Sequence, residues 1–346
     1  MNKNKYNQKY VVDLLTKLIS YESTTDNQVE VEKCLNFIAS EIASVDYDVK
    51  IIKNKATSSL YATSKNSNVK MLLFGHIDVV PASQSQFQTN IVGDKIYGRG
   101  TLDMKGAVAV MIHLLQTTSG FDLLLTGDEE IGGPDGADNI IKNKLIKPYD
   151  LVITGEPTDL VVATEEKGVI WLDAIFSGKS AHAAKPWEGV NPLFKLNKIL
   201  SFLKNEYGYS KPVWKTTVTP TLVKTTNGQN QVAEKIKLGI DCRYIPTDDP
   251  QVIIQKLRSY CDDLEILHLD GPLKSIPSAL VDQLVEYSGK PTGSMHWATD
   301  ARYFEDTPAV IYGPSGEGMH SASEYVNISS LAIIYQTLSQ LVGNLR

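Results

Sequence analysis

At the start of the chain, apolar positions recur at spacings of three and four. Residues 8–20 (QKYVVDLLTKLIS) carry one such stripe, and residues 29–43 carry another, with Val31, Cys34, Leu35, Ile38 and Ile42 on one face. Both spacings predict amphipathic helices. Short β-rich runs follow at 49–53, 59–64 and 71–75. The last of these, MLLFG, is continuously apolar, as suits a strand covered on both faces. The pattern predicts a helix over 104–117 and buried strands at 121–127 (FDLLLTG) and 149–155 (YDLVITG), with a helix near 136–144 between them. Strand, helix and strand at this spacing imply a βαβ unit and a largely parallel sheet.

The pattern changes near residue 165. A long run at 169–178 precedes a helix at 190–205, strands at 216–226 and 235–243, a helix at 249–260 and a strand at 264–269. The order βαββαβ is that of a small sandwich with two helices on one antiparallel sheet. The chain then returns to a helix at 277–287, a short strand at 308–312 and a final helix at 328–343. The expected organisation is a discontinuous α/β domain over 1–164 and 272–346, with helices on both faces of a mostly parallel sheet, and an inserted α+β sandwich over 165–271.

Composition narrows the function classes. A net charge of −6 supplies no field that recruits nucleic acid. No apolar run reaches the ~18 residues of a membrane helix, and Asp13 and Lys17 interrupt the only apolar stretch near the N-terminus, which argues against a signal peptide. The three cysteines, Cys34, Cys242 and Cys261, form no CxxC pair, so neither a disulfide framework nor a thiolate zinc site is expected, and a reducing cytoplasm is the expected setting.

Acids and imidazoles follow the predicted strands. His76-Ile77-Asp78 comes after MLLFG, Asp128-Glu129-Glu130 after LLLTG, and Glu156 after LVITG. Asp103 opens a predicted helix after GRGTL, and His320 stands in a Gly-rich loop after AVIYG. Ligands of open α/β sheets bind outside the carboxyl ends of the strands. Two histidines with several carboxylates and no cysteine suit a pair of zinc or similar divalent ions. In a two-metal hydrolytic site a shared carboxylate bridges the ions, and a spare carboxylate of a Glu-Glu pair is free to act as general base. Asp78 is spaced to orient the His76 ring.

These segments resemble a known family. GHIDVVP (75–81), YGRGTLDMKG (97–106), TGDEEIGG (126–133), TGEPTDL (154–160), SGKSAHAAKPWEGVNP (177–192), NQVAEKIKLGIDCR (230–243), ATDARYF (298–304) and GPSGEGMHSASEY (313–325) are similar in order and spacing to the two-zinc amidohydrolases. That family includes acetylornithine deacetylase, succinyl-diaminopimelate desuccinylase, aminoacylase, carboxypeptidase G and related dipeptidases. The resemblance implies that His76 and Glu156 hold one metal, that Glu130 and His320 hold the other, and that Asp103 bridges them. It implies Glu129 as the base, a cis peptide after Asp103, and two zinc ions with cobalt or manganese as substitutes. A Glu at 156 is similar to the acylases and carboxypeptidases, whereas Asp is usual in the aminopeptidase branch. The inserted domain resembles a lid that forms a homodimer interface, and its His182 resembles the histidine that stabilises the oxyanion, often from the partner subunit.

Only five arginines stand against 29 lysines, which directs attention to where a planar fork is kept. Arg243 and Arg302 read as forks for a substrate carboxylate, and Asn230 resembles a substrate-contacting residue. Arg99 reads as structural, holding the loop before Asp103; Arg258 and Arg346 match no motif. His113, His268 and His296 also match no motif. Ala298 stands where the family usually has Gly, and Ala233 where it often has Pro. The expected activity is hydrolysis of the amide bond of a small-molecule N-acyl amino acid in amino-acid biosynthesis. The alternatives are a dipeptidase or carboxypeptidase on a short peptide and, further off, a metal-binding receptor without catalysis.

Overall fold

A computed structural model describes residues 5–343 except 44, 67 and 226, so Arg346 and the last position of the predicted strand at 216–226 lie outside the described residues. The elements in chain order are α1 (Gln8–Ile19), α2 (Gln28–Ile42), β1 (Tyr47–Asn54), β2 (Thr57–Ser64), β3 (Met71–His76), β4 (Asn90–Val92), β5 (Lys95–Tyr97), α3 (Gly106–Thr117), β6 (Asp122–Thr126), α4 (Ala137–Lys142), β7 (Leu151–Thr154) and β8 (Ala163–Glu166). They continue with β9 (Gly168–Ser177), β10 (Ala181–His182), α5 (Leu196–Tyr207), β11 (Thr217–Lys224), β12 (Gln231–Val232), β13 (Lys235–Tyr244), α6 (Pro250–Arg258) and β14 (Asp263–Asp270). The chain ends with α7 (Ala279–Ser288), β15 (Gly293–Met295), β16 (Ala309–Ile311), β17 (Gly316–Glu317), β18 (Tyr325–Asn327) and α8 (Ile328–Gly343).

The chain forms two compact units. One comprises Met1–Thr164, Ser275–Gly293 and Thr299–Arg346, and the other comprises Glu165–Lys274 and Ser294–Ala298. The main sheet has the order β1-β2-β6-β3-β7-β16-β8-β15. Its centre is parallel: β3 pairs in parallel with both β6 and β7, and β16 pairs in parallel with β7. Antiparallel β1 and β2 extend one side. The strands β6 and β7, joined through α4, are therefore not neighbours; β3 lies between them.

Helix α3 is buried on every side from Gly106 to Leu115, as its uniformly apolar sequence requires. It packs in one core with α1, α2, α8 and the apolar side chains of β3, β6 and β7. Its start presses on two strand-end glycines. A Cβ on Gly75 would lie 2.5 Å from Met104 Cε, and one on Gly155 would lie 2.6 Å from Ala107 Cβ. A side chain at Gly155 would collide with Ala107 and one at Gly75 would displace Met104, and these glycines directly precede His76 and Glu156.

The predicted helix at 104–117 begins later than its apolar pattern suggests. Residues Thr101–Lys105 form an irregular helical turn in which Asp103 (φ −119°, ψ 98°) leaves helical geometry. The Asp103–Met104 peptide is cis. The predicted helix at 190–205 is displaced to α5 because Pro192 opens a separate short turn over Pro192–Lys195.

The second unit holds one antiparallel sheet of order β11-β13-β9-β14. Helices α5 and α6 cover it through Leu196, Ile199, Leu203, Ile253, Ile254 and Leu257, which share a core with Ile170, Leu172, Leu238 and Ile240. A two-residue pairing of β10 with β12 sets His182 opposite Gln231. No described helix is long and apolar enough to cross a membrane.

Candidate metal centre

Three neighbouring parallel strands deliver the first candidate ligands. β3 ends at His76, β6 runs into Glu129 and Glu130, and β7 runs into Glu156. Because β6 and β7 flank β3, the three carboxyl ends converge. Asp103 is brought in by the turn before α3, and His320 by the loop between β17 and β18. His320 adopts φ 62°. A left-handed backbone at a non-glycine residue costs about 1–3 kcal/mol and persists only where its surroundings impose it.

Two donor groups result, His76-Glu129-Glu156 and Asp103-Glu130-His320, each with its ligand atoms within 4.8 Å of one another. Asp103 joins them. Its Oδ1 lies 3.1 Å from His76 Nε2 and its Oδ2 lies 3.0 Å from His320 Nε2. His76 Nε2 is 3.4 Å from Glu156 Oε1 but 3.9 Å from Glu129 Oε2. His320 Nε2 is 3.2 Å from Glu130 Oε2.

The tautomer of His76 follows from its other nitrogen. Nδ1 lies 3.0 Å from the backbone carbonyl of Asp78. A carbonyl only accepts, so Nδ1 carries the hydrogen and the Nε2 lone pair of the neutral ring faces the donor group. The Asp78 carboxylate is 3.4 Å from Nδ1 and has another task. It accepts from the backbone amides of Glu129 and Glu130, each at 3.2 Å, and from Thr25 Oγ1 at 2.7 Å. Asp78 thus places both glutamates as well as the histidine.

The electrostatics describe a site short of positive charge. Burial raises Glu156 to about 8, with Asp103 adding to the rise and His76 opposing it. Burial likewise lifts Glu129 well above the carboxylate range, and it lifts Glu130. Burial favours neutral Asp103, yet hydrogen bonds from His320 and His76 outweigh it and hold that carboxyl below its ordinary range. Hydrogen bonds to Asp103 and Glu130 raise His320 to about 10. For His76, burial acts downward, but Glu156, Asp103 and Asp78 prevail and raise it well above 6.5. Acids that resist ionising beside imidazoles that resist losing a proton are what divalent cations would relieve. Nitrogen and oxygen donors without sulfur fit such ions.

The remaining sequence-selected residues lie as follows. Arg302 is buried, and it donates to the carbonyls of Thr299 (2.6 Å) and Gly132 (3.2 Å). It braces the Glu129–Glu130 turn, and capture of a substrate carboxylate requires it to exchange those bonds. In the second unit, Arg243 pairs with Asp241 through Nε at 2.8 Å and Nη2 at 3.0 Å. His182 is exposed, and its Nδ1 accepts from Ala184 N at 3.0 Å. The backbone carbonyl of Asn230 accepts from Ala183 N at 2.8 Å, so Asn230 and His182 share one local element. Arg99 Nη1 donates to Glu324. His113 stacks on Tyr335, with ring centroids 4.9 Å apart.

Three buried charged residues carry no role in the sequence reading. Lys105 Nζ donates to the carbonyls of Leu18 (3.0 Å) and Tyr21 (3.1 Å), tying the Asp103 turn to the end of α1. Asp300 lies 3.8 Å from Arg302 Nη2, and burial pushes its carboxyl up to about 7 despite that cation. Glu324 accepts from the amides of Leu102 and Asp103. All three fall inside motif segments, but spacing alone does not say which way they point.

The model of peptidase family M20/M25/M40 matches residues 72–344. An acetylornithine deacetylase of Aliivibrio salmonicida is 28% identical over 83% of this chain and 84% of its own length. A succinyl-diaminopimelate desuccinylase of Orientia tsutsugamushi is 27% identical over 97% of this chain and 95% of its own. The crystal structure of a tripeptidase from Staphylococcus aureus has the same fold, with a TM-score of 0.81 and 19% identity over 98% of each chain.

Proposed function

This chain belongs to peptidase family M20/M25/M40 and is a hydrolytic enzyme, and from that premise we propose that it cleaves the amide bond of an N-acyl amino acid with two metal ions. The observation that carries this reading is the position of Glu129. It stands beside the donors yet farther from His76 Nε2 (3.9 Å) than Glu156 does (3.4 Å). A carboxylate left over beside a donor set that already suffices for two ions is placed for proton transfer, and pure binding has no use for it.

His76, Glu156, Asp103, Glu130 and His320 would hold two zinc ions, with cobalt or manganese as replacements. Such ions, when bound, polarise a carbonyl and acidify water. Glu129 takes a proton from the attacking water and returns it to the amine nitrogen as the C–N bond breaks. Burial holds its carboxyl above the ordinary carboxylate range, which suits a group that must both accept and give that proton. His182 is the proposed donor to the carbonyl oxygen as it gains charge. Because Nδ1 accepts from Ala184, Nε2 carries the hydrogen of the neutral ring. One such donor lowers the barrier by ~2.7–4 kcal/mol. The inserted unit acts as lid and homodimer interface, and Arg243, Asn230 and Arg302 are the candidate contacts for the substrate carboxylate.

The substrate proposed is N-acetylornithine or N-succinyl-diaminopimelate, a step of amino-acid biosynthesis in the cytoplasm. The relatives bearing those names support it. The test is turnover of both compounds and of a set of di- and tripeptides by zinc-loaded protein, with a chelated control. Cleavage of peptides alone would overturn the deacylase reading and leave a peptidase. Glu129→Gln should keep both metals and lose about 10²–10⁴ in rate. Undiminished turnover by that variant would remove Glu129 from the mechanism.

A further inference from the structure

Glu324 is 1% exposed and lies in the segment that follows His320. Its Oε1 accepts from the backbone amides of Leu102 (3.0 Å) and Asp103 (3.3 Å), and its Oε2 accepts from Arg99 Nη1. Arg99 is itself 3% exposed. The two amides open an irregular helical turn, so no preceding turn of helix supplies them with acceptors. Glu324 supplies the acceptor instead, and a charged acceptor makes the stronger kind of hydrogen bond.

The backbone around Glu324 belongs to the same connection. Its carbonyl accepts from Gly98 N at 3.1 Å. The next residues, Tyr325–Asn327, pair with Lys95–Tyr97 in antiparallel register. The chain leaving His320 is thereby zipped to the chain approaching Asp103. The zipper ends before Asp103, and the Glu324 carboxylate spans what remains. His320 needs such support, because its own backbone is strained at φ 62°.

We propose that Glu324 is a positioning residue of the metal centre, fixing the separation of Asp103 from His320 by binding the amide of the one from the loop of the other. The proposal rests on the reading of Asp103 and His320 as metal ligands. Lys105 anchors the other side of the same turn to α1, so Asp103 is held from two directions. Glu324 touches neither ligand side chain. Its effect is on where they stand.

The experiment compares Zn²⁺ binding to the full-length protein and to Glu324→Gln, by competition with a chromophoric chelator, alongside the melting temperature of the metal-free forms. Glutamine keeps one oxygen for the two amides but turns an NH₂ toward Arg99. The expected result is a loss of about 10–100-fold in affinity for at least one of two ions, as for other residues that orient ligands, with kcat lowered and KM nearly held. A purely structural role would lower the melting temperature of metal-free protein and leave both zinc affinities of the folded protein at wild type, and that outcome overturns the proposal. Should the unpaired Arg99 prevent Glu324→Gln from folding, Glu324→Gln combined with Arg99→Gln restores a neutral hydrogen-bonded pair, and the same affinities are read there. If the wild-type protein itself binds fewer than two zinc ions, the metal reading fails instead, which separates the two failures.

Discussion

Replacing Asp78 by Asn should damage the site out of proportion to a change of one atom. Asp78 is fully buried, and its carboxylate accepts from three donors, with the His76 ring close by. Oδ1 faces Glu129 N (3.2 Å) and His76 Nδ1 (3.4 Å), and Oδ2 faces Glu130 N (3.2 Å) and Thr25 Oγ1 (2.7 Å). In Asn one of these oxygens becomes an NH₂. With the amide nitrogen at the Oδ2 position, Thr25 can rotate its hydroxyl to accept, but the Glu130 amide then meets another donor. With the opposite orientation, the Glu129 amide loses its acceptor, while His76 Nδ1 keeps the backbone carbonyl. Either way one buried amide is unpaired, at about 1–3 kcal/mol. The surviving bonds also lose the strength that a charged acceptor confers, which is about 1 kcal/mol more. The disturbed turn carries both the proposed base, Glu129, and a proposed metal ligand, Glu130. Zinc affinity should therefore fall about 10–100-fold, and a base displaced by about 1 Å should cost about 10² in kcat. Chelator competition and steady-state rates on the same preparation measure both. Wild-type zinc affinity and wild-type kcat in Asp78→Asn would refute the argument that this carboxylate sets the turn.

Other consequences can be checked directly. Chelation should lower the melting temperature, since ions at 100 times their dissociation constant add about 2.7 kcal/mol per site; a melting curve indifferent to Zn²⁺ would count against the donor groups. Gly133→Ala should cost about 2 kcal/mol or more, because Gly133 has φ +61° and a Cβ there would lie 2.5 Å from both Asp300 oxygens; urea denaturation reads the loss, and an unchanged midpoint would contradict it. Iodoacetamide at pH 8.5 should label Cys261 first, because Cys34 and Cys242 are buried and burial pushes their thiols up to about 11 and about 12; rapid native labelling of either would show that region to be open. Those two thiols keep their protons in the folded state where the unfolded chain loses them, so their contribution to stability declines as pH rises above about 8.5, by up to about 1.4 kcal/mol per pH unit per thiol. Urea midpoints measured from pH 8 to pH 10.5 should fall accordingly, and a rising midpoint would reverse the sign.

How far the sequence discloses the fold depends on the length of each pattern. Continuous apolar runs such as MLLFG and DLLLT are long enough to mark buried strands, and they appear as β3 and β6. The order of strands is another matter. Nothing local to β6 or β7 says that β3 will insert between them, because that is decided by pairing across 50 residues and more of chain. The two- and three-residue strands β4, β5, β17 and β18 show no period at all, yet they make the sheet that links the approaches to Asp103 and His320. The helical pattern read over 104–117 also hides the turn at Thr101–Lys105, because a residue buried in an irregular turn and one buried in a helix look alike in sequence.

The same logic separates the legible from the illegible parts of the candidate site. His76, Glu129, Glu130 and Glu156 are readable because each follows a strand whose apolar run is visible, and the carboxyl end of a parallel strand is a place where ligands gather. Asp103 and His320 sit in glycine-marked loops and are readable by residue type. Glu324, Lys105 and Asp300 are different. Each is a charged residue in a loop or turn, for which a solvated position is the ordinary expectation. Only three-dimensional placement shows Lys105 and Asp300 to be buried, at 0% and 1% exposure. Glu324 is as deeply buried, and its partners are backbone amides, which carry no signature of side-chain type. The proposed ligands are thus announced by strand ends and glycine-marked loops, while the groups that would hold them still are announced only by burial. For that reason the substitutions at Asp78 and Glu324 discriminate more sharply than any ligand substitution. Removing a ligand would abolish binding under almost any model of the site, whereas a loss of zinc affinity on changing a residue that touches no ion requires the hydrogen bonds described for it.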